Sequence, residues 1–205
     1  MRRLAAILGL VAISHLALLA GTARADGDPA SDYLISQPVF LPFDTKVDKG
    51  TADELRSLLE ASKTKGFEIR VALISGKTDL GAVPILYRKP ELYARFLGQE
   101  LFYWYKQKVL VVMPNGYGIS QHGKAVATDL PVLARLPKPG TTDGTALANS
   151  AMRAVRALAR KHDVTLPAVS ARSSSSGVRW YWIVGAVIAA AAIAGSVAYV
   201  WRGRR

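Results

Sequence analysis

The chain has 205 residues, half of them apolar, with 27 Lys or Arg against 15 Asp or Glu and no cysteine. That composition excludes an intrinsically disordered chain, and the missing thiols exclude disulfides, thiolate zinc sites and cysteine nucleophiles together. A formal charge of +12 would make nucleic acid the first partner to consider, so the placement of the charges along the chain decides what it means.

Arg2 and Arg3 precede an uncharged run from Leu4 to Thr22, and Ala23-Arg24-Ala25 has the small-x-small pattern of a signal-peptidase site. Residues 1–25 therefore read as a secretory signal peptide, with Asp26 as the first residue after cleavage. An uncleaved anchor is the alternative, and either form carries the downstream domain across a membrane. Gly27 to Asp32 reads as a polar lead-in to an exported domain over residues 26–167.

Within that domain, Thr51-Ala52-Asp53-Glu54 has capping-box spacing, and Leu55, Leu58 and Leu59 make the apolar face of a helix ending near Gly66. Phe67 to Ile74 alternates and then turns wholly apolar, as a strand entering a core does. Pro90 suits the first position of a helix that carries Leu92, Tyr93, Phe96, Leu97 and Leu101. Val109 to Met113 is a short apolar strand of the buried type, and strand, helix, strand implies a parallel pair joined by a right-handed crossover. Asn115-Gly116 offers a tight turn into a return strand from Tyr117 to Gln121. A last helix is expected from about Thr145 to His162.

Residues 168–179, with Ser173 to Gly177, form a polar tether; about ten such residues reach roughly 16 to 19 Å as a random coil. Tyr181 to Val200 then runs for 20 residues without a charge, and a helix of that length crosses about 30 Å of hydrocarbon. Aromatic rings flank the run at Trp180, Tyr181 and Trp182 and at Tyr199 and Trp201, and Arg202, Arg204 and Arg205 come directly after it. This asymmetry predicts a single span over residues 180–201 with the domain outside and a basic cytoplasmic tail, 202–205. Gly185, Ala189, Ala192 and Gly195 would allow close packing of the span against another helix, and an alanine-rich chain produces the same pattern.

The charge now divides. Seven basic residues belong to the targeting ends, which leaves 20 basic against 15 acidic, or +5, from Asp26 to Val178. An exported domain of that modest charge is not expected to bind nucleic acid. The expected partners are membrane lipid, through the span, and a membrane or envelope protein.

The helix, strand, helix and strand order, with Tyr93-Ala94-Arg95-Phe96-Leu97 and Lys108 to Met113, resembles a TPM domain over about residues 32 to 165. This is a module of bacterial exported proteins and of a plant thylakoid luminal repair protein. The resemblance implies a three-layer α/β sandwich, with a central, mostly parallel sheet of about four strands flanked by helices. It also implies one of several activities, because some members are described as acid phosphatases, some as calcium binders and others as accessory factors of membrane-protein complexes. Pro114-Asn115-Gly116-Tyr117-Gly118 stands where a Gly or an Asp-Arg pair is common in the family, and Ala82 to Lys89 is a longer insertion.

Several motifs bear on chemistry. Ser75-Gly76-Lys77-Thr78 comes after a strand as the end of a phosphate-binding loop does, but Val71 occupies the place of the first glycine, so no nucleotide is expected. Gly116-Tyr117-Gly118 matches a potassium-filter triplet, yet it lies between soluble strands and reads as a turn. Of the histidines beyond the signal, His122 reads as a loop residue beside Ser120, and His162 is the only other. No cofactor is firmly implied. Calcium is the possible ion, with Asp44 and Asp48 near the start of the first long helix as candidates and helix capping as their simpler role. Parallel strands place a ligand crevice beyond their carboxyl ends, and there Ser75, Lys77, Asp79 and Asn115 are expected to meet. Asp79 would be a cation ligand or base, Lys77 an anion holder and Asn115 an orienting group. Arg153, Arg156 and Arg160 repeat at three- and four-residue spacing on the last helix and are candidates for anionic headgroups, a solvated face being the alternative. The functional expectation is an extracytoplasmic interaction or accessory module. A divalent-cation-dependent phosphatase is the alternative, and a helper acting through its span is a third reading.

Overall fold

The structure is a computed structural model and describes residues 27–167. The expected signal peptide, tether, span, small-residue stripe and basic tail lie outside the described residues. Among those described, no helix is long and apolar enough to cross a membrane.

A five-stranded mixed sheet in the order β1-β2-β3-β4-β5 organises the α/β domain. Its strands are β1 (Val39–Phe40), β2 (Ile69–Leu73), β3 (Lys108–Met113), β4 (Gly116–Gln121) and β5 (Lys124–Ala125). The first three are parallel, β4 returns antiparallel to β3, and β5 pairs antiparallel with β4. The expected parallel pair and return strand are therefore present; the return strand β4, antiparallel to both its neighbours, makes the sheet mixed rather than mostly parallel, and two short edge strands enlarge it to five. Strands of two residues have too little periodicity to announce themselves in a sequence.

Alternation along the strands supplies two cores, one on each face. Val71, Leu73, Leu110, Val112, Tyr117 and Ile119 belong to one apolar cluster with α2 (Lys49–Thr64) and the last helix, here α5 (Gly144–Lys161). Ala72, Ile74, Val109, Val111 and Met113 belong to the other, with α1 (Pro29–Ser36) and α3 (Pro90–Glu100). A short α4 (Leu130–Ala134) contributes Leu133 to the first cluster.

Two helix starts differ from expectation. The cap of α2 is Asp48, whose carboxylate accepts from the Thr51 amide at 3.0 Å, so the Thr51 capping box lies one turn inside the helix. The lead-in is α1, capped by Asp28. An eight-residue helix burying only Ala30, Ser31 and Leu34 carries too little apolar pattern to be seen in advance.

The small residues of β4 have a packing reason. Gly118 and Ser120 lie opposite α3, and a Cβ built on Gly118 would stand 2.0 Å from the Pro90 carbonyl oxygen. Ser120 donates its hydroxyl proton to the Ala94 carbonyl. The Gly118→Ala substitution is expected to destabilise the domain by about 3 kcal/mol or more, because the clash is with helix backbone rather than a movable side chain. A urea midpoint unchanged from wild type would contradict this close approach of α3 and β4.

Candidate functional site

Beyond the carboxyl ends of β2 and β3, the chain closes over itself. Asp79, in the 3-10 turn Thr78–Leu80, is fully buried. Its Oδ2 accepts from the Ser75 amide at 2.7 Å, the Ser75 hydroxyl at 2.9 Å and the Gly76 amide at 3.0 Å, and its Oδ1 accepts from the Phe43 amide at 2.8 Å. The amides of Ser75 and Gly76, which a phosphate loop would turn towards an anion, are thus directed at this internal carboxylate. Four donors around one buried carboxylate describe a structural staple joining three loop segments.

The segment Ala82 to Lys89 completes the closure. Val83, Leu86 and Tyr87 pack against the α1/α3 core. The Tyr87 hydroxyl donates to the Ser75 carbonyl at 2.8 Å, and Asn115 Nδ2 donates to the Arg88 carbonyl at 2.7 Å. Arg88 has a φ of 62°, a left-handed backbone that the Asn115 bond helps to hold. Of the four residues expected to converge, Ser75 and Asp79 meet as hydrogen-bond partners, Lys77 is exposed, and Asn115 fastens the segment 82–89. The crevice predicted from topology is filled by the protein's own chain.

Asp44 and Asp48 are likewise engaged separately. Asp44 accepts from the Thr78 hydroxyl, and Asp48 caps α2 while its amide donates to Thr145 Oγ1 at 2.9 Å. Among the described residues, no group of three or more His, Asp or Glu side chains is placed to hold a metal ion. On α5, Arg153 and Arg160 are exposed, but Arg156 is largely covered and lies 3.8 Å from Glu54 of α2. The expected arginine stripe is therefore interrupted, because its middle member bridges two helices.

Another constellation has no counterpart in the sequence motifs. Asp129 is fully buried between Lys108, whose ammonium stands 3.0 Å away, and His162, whose Nε2 lies 2.9 Å from Oδ1. Lys108 forms an ion pair with Oδ2 without the alignment of a hydrogen bond. The His162 ring stacks on Phe67 with centroids 5.2 Å apart. Lys108 starts β3, Asp129 precedes α4 and His162 comes just after α5, and only the fold brings such separated positions together.

An open cleft of about 410 Å³ lies beside Asn115, between the start of α3 and α4. Its apolar lining comes from Leu92, Leu130, Leu133, Ala134 and Leu136, and Lys89, Lys138 and Glu91 supply its charges. The Tyr117 hydroxyl, donating to the Pro137 carbonyl at 2.8 Å, and the Gly140 amide, donating to the Pro114 carbonyl at 2.8 Å, tie the segment after α4 to the β3–β4 hairpin. Of its lining, sequence reasoning singled out only Asn115 as a site residue, since α4 is only five residues long.

Fold and site together define an α/β domain on a mixed sheet, with a self-filled crevice and a neighbouring cleft that shares Asn115 with it. No protein-family model, curated protein or solved structure matches the chain.

Proposed function

We propose that this chain is a single-pass, membrane-anchored domain of TPM type on the outer side of a bacterial cytoplasmic membrane. In this reading a cleaved signal directs export, the span from about 180 to 201 anchors the chain, and the domain works as an interaction or accessory module for a membrane or envelope protein. The cleft is the observation that carries the module reading: leucine and alanine side chains beside Lys89 and Lys138, against the single carboxylate of Glu91, suit one or two apolar side chains of a partner segment next to a carboxylate. The closed crevice supports the same reading, because Asp79 has its lone pairs directed at the protein's own donors.

A photocrosslinking amino acid at Leu92 of the full chain in its native membrane tests the proposal. A discrete adduct is expected, absent when the crosslinker stands at Lys49 on the far helix and lost when Leu136→Glu places a charge in the cleft. No adduct, together with calcium-stimulated release of phosphate from p-nitrophenyl phosphate, would overturn the module in favour of the phosphatase.

A further inference from the structure

Of the five exposed aromatic side chains among the described residues, Tyr33 and Phe43 stand apart and three are consecutive in one turn. Phe102, Tyr103 and Trp104, directly after α3, are 45, 85 and 70% exposed, whereas Leu101 and Tyr105 on either side are buried. The buried pair anchors the turn: Tyr105 donates its hydroxyl to the Lys108 carbonyl at 3.2 Å, and the Arg70 guanidinium lies 4.0 Å over its ring. Phe102 meets Tyr103 edge to face at 5.5 Å and lies 5.9 Å from the His122 ring. A rigid base thus presents three large rings to solvent, an arrangement a soluble surface has no reason to keep.

The turn's position in the fold identifies what it meets. It leads into the start of β3, where Lys108 pairs in register with Gln121, so His122 and Lys124 lie at the same end of the sheet. The described chain also leaves the domain at this end: His162 bonds Asp129 beside Lys108, and the Lys65 ammonium donates to the Thr165 carbonyl at 2.5 Å. Thirteen residues of sequence, 168–180, then separate Pro167 from the apolar run. In segments 95–107 and 121–125, Arg95, Lys106 and Lys124 stand against Glu100 alone, and Lys106 and Lys124 are exposed.

We propose that the Phe102–Trp104 turn docks the domain onto a bilayer surface bearing anionic phospholipid headgroups, with Lys106 and Lys124 facing the phosphates. Phe, Tyr and Trp beside lysine are the side chains that settle at the headgroup level, the rings at the acyl boundary and the ammonium groups in the phosphate layer. Three rings on a projecting turn make a poor dimer interface, since a stable one buries about 800 Å² on each partner. The docking takes its membrane setting from the anchored reading of the proposed function.

The test uses the full chain with Trp180, Trp182 and Trp201 changed to Phe, which leaves Trp104 as the only indole. It is mixed with phosphatidylcholine vesicles, or with vesicles of phosphatidylcholine and phosphatidylglycerol, both carrying brominated acyl chains. Flotation reports the anchor, and bromine quenching of Trp104 reports the docking. The expected result is flotation with both vesicles and quenching that is strong with phosphatidylglycerol, weak without it, and reduced by Lys106→Glu with Lys124→Glu by about fivefold per lysine. Flotation only with the anionic vesicles, again with quenching, would support the docking while removing the anchor. Flotation with Trp104 unquenched would overturn the docking and leave the anchor standing, and a blue-shifted but unquenched Trp104 would mark a second copy of the chain as the occupant. No flotation with either vesicle would overturn both.

Discussion

Replacing Asp79 by alanine is expected to lower the unfolding free energy by about 3 to 5 kcal/mol, and by asparagine by about 2 to 4 kcal/mol. Alanine leaves the buried Ser75 amide and hydroxyl without their acceptor, along with the part-buried amides of Phe43 and Gly76. Asparagine keeps one oxygen, but its amide nitrogen must then face a donor, either Phe43 on one side or the Ser75 and Gly76 pair on the other. Urea unfolding of the full chain in detergent, monitored by circular dichroism, measures the loss. The outcome separates two roles for this residue. A catalytic base can become asparagine with loss of turnover and little loss of stability, whereas a staple loses stability first. Wild-type stability in Asp79→Asn would contradict the staple.

The second large effect concerns Asp28 and has a definite pH window. Burial raises its carboxyl from 3.8 to about 6, against the opposing bonds from Tyr93 and Ser31, and the charges of Glu100 and Asp32 add to the rise. Tyr93 donates to Oδ1 at 2.6 Å and is itself held far above its usual value, by burial first and then by the Asp28 charge. A carboxyl raised on folding binds its proton more tightly in the native state. Its stabilising contribution is therefore complete below about pH 3.8 and lost as the pH rises through about 6. Between pH 4.5 and 7.5 this one group removes about 2 kcal/mol. The Asp28→Asn variant, whose oxygen still accepts from Ser31 and whose amide donates to the Tyr93 oxygen, lacks the titration. The stability difference between wild type and Asp28→Asn is expected to shift by about 2 kcal/mol in favour of the variant between those pH values. A difference that stays constant would place Asp28 in contact with water.

These two residues also mark where sequence reading stops. Asp28 reads as part of a polar lead-in, because aspartate before proline and alanine is ordinary loop chemistry. Its burial depends on Tyr93, 65 positions away, crossing to meet it. Asp79 reads as an available loop carboxylate because its partners are mostly backbone amides, which a sequence cannot rank. The segment Ala82 to Lys89 reads in sequence only as a connection before α3, and its fastening by Asn115 and Tyr87 is not visible there. The expected meeting of Ser75 and Asp79 is correct as proximity, while its meaning changes from an open site to an internal bond.

The long elements were legible because their signals are local. Leu55, Leu58 and Leu59 on α2, the apolar β2 and β3, Pro90 at the start of α3 and the length of α5 all result from periodicity and capping within a few residues. The expectations of export, of a span and of a +5 domain come from local signals too, read from runs and charges outside or along the described residues. Tertiary structure alone decided which polar groups face water. It buried Asp79 and Asp129, gathered Lys108, Asp129 and His162, bridged Arg156 to Glu54, and left Phe102, Tyr103 and Trp104 outside. The physical reason is that solvation belongs to the packed surface as a whole. The same carboxylate is a ligand, a base or a staple according to the donors that distant segments bring to it.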